Sequence, residues 1–153
     1  MAFLSSMNIT GSGLTAQQLR LDVISENVTN MNTTRTEQGG AYRRKMVVLE
    51  AGGGRDAFRM ALAAAQGGGV SNRGYGTAGG VRVSEIAQDP SDLKLVYDPT
   101  HPDANADGYV EMPNVDLVKE ITDAMAATQA YSANVTALNT LKTVVAKALE
   151  IGR

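Results

Sequence analysis

The chain has 153 residues, a formal net charge of −2 and no cysteine. The length suits one modest domain, the charge gives no basic excess that would point to nucleic acid as the main partner, and the missing cysteines remove disulfides, thiolate catalysis and Cys-ligated zinc. Aromatic residues make up 5% and tryptophan is absent, which is thin for a self-sufficient core.

Residues 1–19 carry no charged side chain and no apolar core segment follows them, so no cleaved secretory signal is expected. The longest fully apolar run, Met60–Ala65, is too short to span a bilayer. The first helix is predicted from Gly13 or Leu14 to Asn30. Heptad spacing places Leu14, Gln17, Leu21, Ile24, Val28 and Met31 on one seam. Phe3, Leu4 and Met7 belong to the same helix or to an earlier turn, because Gly11-Ser12-Gly13 weakens the join. Asn30 to Thr34 ends the helix with side chains that compete for backbone hydrogen bonds.

Residues 33–42 read as a loop with a turn at Gly39-Gly40, and Arg43 to Glu50 as a strand. Glycine triplets at 52–54 and 67–69 flank an alanine-rich stretch, Arg55 to Gln66, where a short helix is possible but too short to be stable undocked. Mobility is expected from 52 to 79. Val81 to Ile86 alternates as a half-buried strand does. Leu93 to Tyr97 is a second candidate, after a turn at Asp89-Pro90-Ser91. Residues 98–114 form a loop rich in Pro, Asp, Asn and Gly, with a brief strand at Tyr109 to Met112.

The second long helix is predicted from Val115 to Glu150, roughly 54 Å at ~1.5 Å per residue, with Asn114 as its N-cap. Asp116, Glu120 and Asp123 in its first half, with Lys142 and Lys147 in its second, complement the helix dipole. Val118, Ile121, Met125, Thr128, Ser132 and Val135 follow a 3-4 spacing. The seam then steps to Leu138, Leu141, Val145 and Leu149, as in a stammer. Ala124 to Leu141 holds no charge, six alanines, seven Ser, Thr, Asn or Gln residues and five larger apolar residues. A water-facing helix spends its outer side on Lys and Glu, and a membrane helix tolerates few polar side chains. The composition fits a helix packed closely among other helices, more than one short chain supplies, so neighbouring copies or relatives are expected around it.

Several motifs have plainer explanations. Gly74 to Gly79 matches G-x-G-x-x-G, but no strand precedes it and no helix follows, so a loop is the better reading. Asp103 to Gly108 matches the opening of a calcium loop, yet Asn114 stands where the bidentate glutamate belongs; a loop held by Asx turns fits better. His101, near Asp98 and Asp103, is conceivable as a general base, but no nucleophile accompanies it. Tyr42-Arg43-Arg44-Lys45 reads as a solvated basic face or one that pairs with a partner's acids. Asn27, Asn30 and Asn134 lie in or beside the seams, either as helix-end chemistry or as amides that fix helix register; for Asn134 the register reading fits better. A calcium- or substrate-binding enzyme domain centred on Asp98 to Asp107, and a cytosolic coiled-coil adaptor, are the rival readings.

Four blocks in order resemble the rod and hook axial proteins of the bacterial flagellum, and among them the proximal-rod subunits: Leu14 to Asn30; Asn32 to Thr36 with Gly39 to Lys45; Tyr97 to Asn105 with Gly108 to Val110 and Pro113 to Val115; and Ala130 to Val135 with Ala148 to Arg153. Thr29, where the wider motif has Ala, and Ala41, where the subunits often have Pro, depart from the pattern, and residues 52–79 show none. The resemblance implies a structural, non-enzymatic subunit that is mainly α with a β-containing insert. Residues 1–32 and 114–153 would form a discontinuous helical coiled-coil domain, with 33–113 as a middle β and loop region. It implies assembly into a hollow helical rod that transmits torque and encloses an export channel. The expected location is the basal body in the periplasmic space, reached through the flagellar export gate without a cleaved signal. Expected partners are other proximal rod proteins, distal rod proteins, the rod-base adaptor of the export gate and further copies, with no nucleic acid and no membrane insertion. No catalytic residue, cofactor or metal is expected. The expected assembly interface is Leu14, Leu21, Ile24, Asn27, Val28, Asn30, Met125, Tyr131, Asn134, Val135, Leu138 and Leu141.

Overall fold

The computed structural model describes residues 2–37, 39–52 and 79–151, the side chains of 2–4 and 151 excepted. In chain order the elements are helix α1 (Ala2–Thr29), strands β1 (Lys45–Ala51), β2 (Val81–Gln88), β3 (Lys94–Tyr97) and β4 (Tyr109–Met112), and helix α2 (Leu117–Ile151). The protein is mainly helical, its terminal helices pack on one another, and a small β insert lies between them in sequence, as expected. The short helix considered between Arg55 and Gln66, the mobility expected across 52–79 and nearly all of the Gly74 to Gly79 motif lie outside the described residues.

Helix α1 runs unbroken through Gly11 and Gly13, where the sequence predicts a weak join. Each glycine costs about 1 kcal/mol of helix propensity relative to alanine, and local contacts offset it. A Cβ at Gly13 would lie 3.0 Å from Asn134 Nδ2, so only glycine lets that amide sit so close. Ser12 Oγ donates to the Ile9 carbonyl at 2.7 Å and accepts the Val81 N–H at 3.0 Å. The helix ends as predicted. The N–H and the side-chain amide of Asn30 both donate to the Glu26 carbonyl, at 3.0 and 2.9 Å, and Thr33 Oγ1 donates to Asn30 Oδ1 at 3.1 Å.

Helix α2 starts at Leu117 rather than Val115, and Asn114 is not its cap. Asp116 Oδ1 accepts the Val118 N–H at 3.0 Å and caps the first turn. Asn114 turns away. Its Oδ1 accepts the Arg44 N–H at 2.8 Å, and its Nδ2 donates to the carbonyls of Asp89 (3.3 Å) and Ser91 (3.2 Å). Three loop backbone groups outbid the helix end for this one amide.

Strands β1 and β2 pair with each other, as do β3 and β4. Beyond the ends of the first pair, the Asp89 N–H donates to the Arg44 carbonyl at 2.8 Å and the Gly52 N–H to the Gly80 carbonyl at 2.7 Å, an order that makes the pair antiparallel. In the second pair Leu95 faces Glu111 and Tyr97 faces Tyr109; the two tyrosine rings meet edge to face, 5.2 Å between centroids. The loop between β3 and β4 is closed by Asx turns. Asn105 Oδ1 accepts the N–H groups of Asp107 (3.0 Å) and Tyr109 (2.9 Å), and Asp98 Oδ1 accepts the N–H and hydroxyl of Thr100 at 3.0 and 2.7 Å. Gly108, at φ +79°, supplies the left-handed residue the turn needs.

The chain forms two compact units, one from residues 1–16, 49–84 and 130–153, the other from 17–48 and 85–129. Each takes in part of both helices. In the second, Val23, Ile24, Tyr42, Val110, Val115 and Ala127 form the buried core. In the first, Ala16 is buried and Tyr131, Asn134, Val135, Leu138, Leu141 and Val145 are half-buried.

Candidate functional site

The inward side of α2 is not the stripe that spacing suggested in the helix's first half. Val118, Ile121, Met125, Thr128 and Ser132 are all exposed. The side that faces in passes through Glu120, Ala127, Asn134 and Leu141, which are seven residues apart, as a packed helix face requires. The step read as a stammer is a change from an outward stripe to the inward one.

Glu120 is fully buried, at 0% exposure. A bare carboxylate there would be prohibitively costly, so it must be paired. Arg44 Nε donates to Glu120 Oε1 at 2.5 Å, and Asn27 Nδ2 donates to Oε2 at 3.1 Å. Arg44 also reaches Asp123 at 3.2 Å and Asp89 at 3.7 Å, and Arg20 meets the other oxygen of Asp123 at 3.2 Å. Three carboxylates thus face two guanidiniums. Asn27 is used completely: its Nδ2 also donates to the Lys45 carbonyl at 2.9 Å, and its Oδ1 accepts the Lys45 N–H and the Tyr42 hydroxyl, both at 2.9 Å. This side chain, on α1, mimics a strand partner for residue 45.

The electrostatics follow from the packing. Burial, with Glu26 and then Glu120 close by, pushes the Tyr42 phenol up from 10 to about 12. The Ser91 N–H and hydroxyl hold Asp89 below the usual carboxylate range, with Arg44 adding to this. Lys45 pairs with Glu26 and lies 5.6 Å from the centre of the Tyr42 ring. Beside the cluster opens a polar cleft of about 750 Å³ whose lining includes Glu26, Asn30, Glu37, Arg43 and Lys45.

By sequence, Tyr42 to Lys45 is a solvated or partner-facing basic run. Arg44 instead is buried and paired to acids of its own chain. Glu120, a dipole complement by sequence, is the most deeply buried charge among the described residues. Two patterns were available to find them. Tyr42 and Arg44 stand two apart in an extended segment, and Glu120 and Asp123 three apart on a helix, so each pair shares a face. His101 Nδ1 accepts the Asp103 N–H at 3.1 Å, and Asp103 Oδ2 accepts the Thr34 hydroxyl at 2.8 Å; both serve the loop.

The residues expected at an assembly interface fall into three groups. Ile24 and Asn27 are buried within the chain. Leu14, Leu21, Val28, Asn30, Tyr131, Asn134, Val135, Leu138 and Leu141 are half-buried. Met125 is 69% exposed and shares an outward stripe with Leu117, Val118 and Ile121. The same unit exposes Leu95 and Tyr97, at 65% and 64%. Among the described residues no helix is long and apolar enough to cross a membrane.

A fold whose first and last helices pair, with a β insert between them and an uncovered apolar stripe, has the form of an assembly subunit. Comparison with known proteins gives the class. Residues 7–35 match the family described as flagella basal body rod protein, and residues 106–151 match the C-terminal family of the flagellar basal body rod FlgEFG proteins. The chain is 50% identical to the flagellar basal-body rod protein FlgC of Bacillus subtilis, with 97% of each chain covered. It is 43% identical to the FlgC protein of Borreliella burgdorferi, over 99% of this chain and 98% of that one. It is 39% identical to that of Escherichia coli O6:H1, over the whole of both. The chain belongs to the FlgC family of flagellar basal-body rod proteins, and is a structural rod subunit of the bacterial flagellum.

Proposed function

We propose that the chain is a subunit of the proximal rod, packing through its paired helices into a hollow helical tube that transmits torque and encloses the export channel. The observation that carries this is the stripe Leu117, Val118, Ile121 and Met125. It lies on a helix that the buried Glu120 anchors along a neighbouring side, so the stripe cannot turn inward. Apolar area of this kind is stabilised by burial at about 25 cal/mol per Å², and contiguous patches of it mark contact surfaces.

Met125 makes direct contact with a neighbour in this reading. Leu14, Leu21, Val28, Asn30, Tyr131, Asn134, Val135, Leu138 and Leu141 contribute their exposed edges, and Ile24 and Asn27 hold the helix pair in shape. Residues 1–32 and 114–153 make up the helical domain of the tube, and 33–113 its middle region. The neighbours are other proximal rod proteins, distal rod proteins, the rod-base adaptor of the export gate and further copies of the chain. The subunit reaches the periplasmic rod through the export gate without a cleaved signal, and works by packing rather than catalysis.

The test is a pair of exposed substitutions, Val118→Asp and Met125→Asp, in a strain whose only copy of the gene carries both. The purified protein should melt as the parent does, since exposed positions rarely move stability by more than ~0.5 kcal/mol. Swimming and incorporation into isolated basal bodies should be lost. Unimpaired swimming would remove the stripe as an interface. Leu21→Asp, Ile24→Asp, Val135→Asp and Leu138→Asp should also abolish motility, though at those positions folding has to be checked alongside.

A further inference from the structure

Rod assembly needs the subunit to present one fixed geometry, and the buried cluster in the 17–48 and 85–129 unit is where that geometry is set. We infer that the Asn27–Arg44–Glu120 cluster is a positioning device: it fixes a single docking of the 42–45 segment against α1 and α2, and the rod reads that docking rather than the stability the charges provide. Arg44 and Glu120 lie outside the expected interface, and the cluster gives them a role beyond membership of the rod family.

The bonds of the cluster are directional and come from three separate elements. Arg44 enters from the segment leading into β1, Asn27 from α1, and Glu120 and Asp123 from α2. Each bond has one donor direction, so sliding either helix by a turn, or the segment by a residue, breaks several at once. Asn27 adds register directly, since its amide pairs with both the N–H and the carbonyl of Lys45. An apolar cluster of the same volume would hold these elements together but would tolerate neighbouring registers. Buried ion pairs are a weak source of stability, because desolvation offsets most of their attraction; their best-attested use is to specify one arrangement among several. Tyr42, Asn114 and Asp89 complete the bonding around the cluster, so few of its polar groups are left to drive a rearrangement.

The test replaces both members of the central pair by apolar residues of similar length, Arg44→Met with Glu120→Met, in the full chain. The double variant is expected to unfold cooperatively at the parent's temperature or above. Its amide NMR spectrum should show several sets of signals, or broadened ones, for residues 42–45 where the parent shows one. Its swimming rate in complementation should fall by tenfold or more. A double variant that melts as low as Glu120→Ala would show that the pair serves stability, and would overturn the inference. So would a variant with a single sharp set of signals. The NMR result stands whether or not the rod reading holds. Multiple signals with normal swimming would keep the register role but sink its link to assembly.

Discussion

In the unit built from 17–48 and 85–129, the two helices meet through charge. Asn27 and Glu120 bond at 3.1 Å, and Arg20 and Asp123 pair at 3.2 Å. In the unit built from 1–16, 49–84 and 130–153, they meet through smallness. Gly13 faces Asn134, Ala16 is buried, and among the described residues no ion pair joins the helices. The contrast separates two requirements of a packed helix pair. Hydrogen bonds and ion pairs made to charged groups are directional and admit one register. Small side chains let backbones come close, but a surface of alanine and threonine looks much the same one turn along.

The sharpest way to break this contrast is to truncate one residue in each unit. Glu120→Ala leaves Arg44 buried beside only its more distant acids, and removal of one member of a buried pair costs about 3–5 kcal/mol. Asn134→Ala removes an amide for which no such buried charge depends on it, and should cost about 1 kcal/mol or less. Urea unfolding of both variants measures the two costs. Equal costs would show that charge does no more in one unit than packing does in the other.

A smaller effect sharpens the charged side of the comparison. The Tyr42 hydroxyl donates to Asn27 Oδ1 at 2.9 Å, and its folded pKa, about 12, lies above the ordinary tyrosine value of 10. The folded state therefore holds this proton more tightly than the unfolded chain does. The stability it contributes is fully present below pH 10 and is lost as the pH rises from 10 to about 12. Circular dichroism followed over that range, with tyrosinate absorbance as the second signal, should show the parent losing structure. Tyr42→Phe should be less stable by about 1 kcal/mol at neutral pH and should lack that alkaline component. An identical alkaline profile in the two proteins would place the titrating group elsewhere.

Much of the fold was legible because long elements repeat their signals. The helix at Leu14 to Asn30, the strands at 81–86 and 109–112 and the C-terminal helix all announce themselves by period and punctuation. What escaped has a common cause. Spacing shows that Val118, Ile121 and Met125 share a face, but not whether that face looks inward or outward. In a chain built to be covered by others, an outward apolar stripe and an inward one look alike. Glu120 inside and Met125 outside reverse the usual expectation, and only the position of Arg44 explains it. A charge on a helix normally goes to water, and a buried one needs a partner distant in sequence, here residue 44 for residue 120. Asn114 escaped for a related reason: its local signal, a good cap before a helix, was weaker than three loop groups that sequence does not bring together.

The finest test lies in the unit held by small residues and compares two glycines two residues apart in α1. Nothing lies within 4 Å of a Cβ built at Gly11, whereas one at Gly13 meets Asn134 Nδ2 at 3.0 Å. Gly11→Ala should therefore stabilise the protein by about 0.5–1 kcal/mol, the ordinary gain of alanine over glycine within a helix. At Gly13 the same gain is opposed by a side chain that has to move, so Gly13→Ala should fall below Gly11→Ala by a measurable margin. If the opposition comes from Asn134, then Gly13→Ala on an Asn134→Ala background should recover the full gain, a coupling that a double-mutant cycle reads directly. Equal gains at the two positions on the parent background would mean that close approach at Gly13 constrains nothing, and the smallness of that helix contact would lose its physical role.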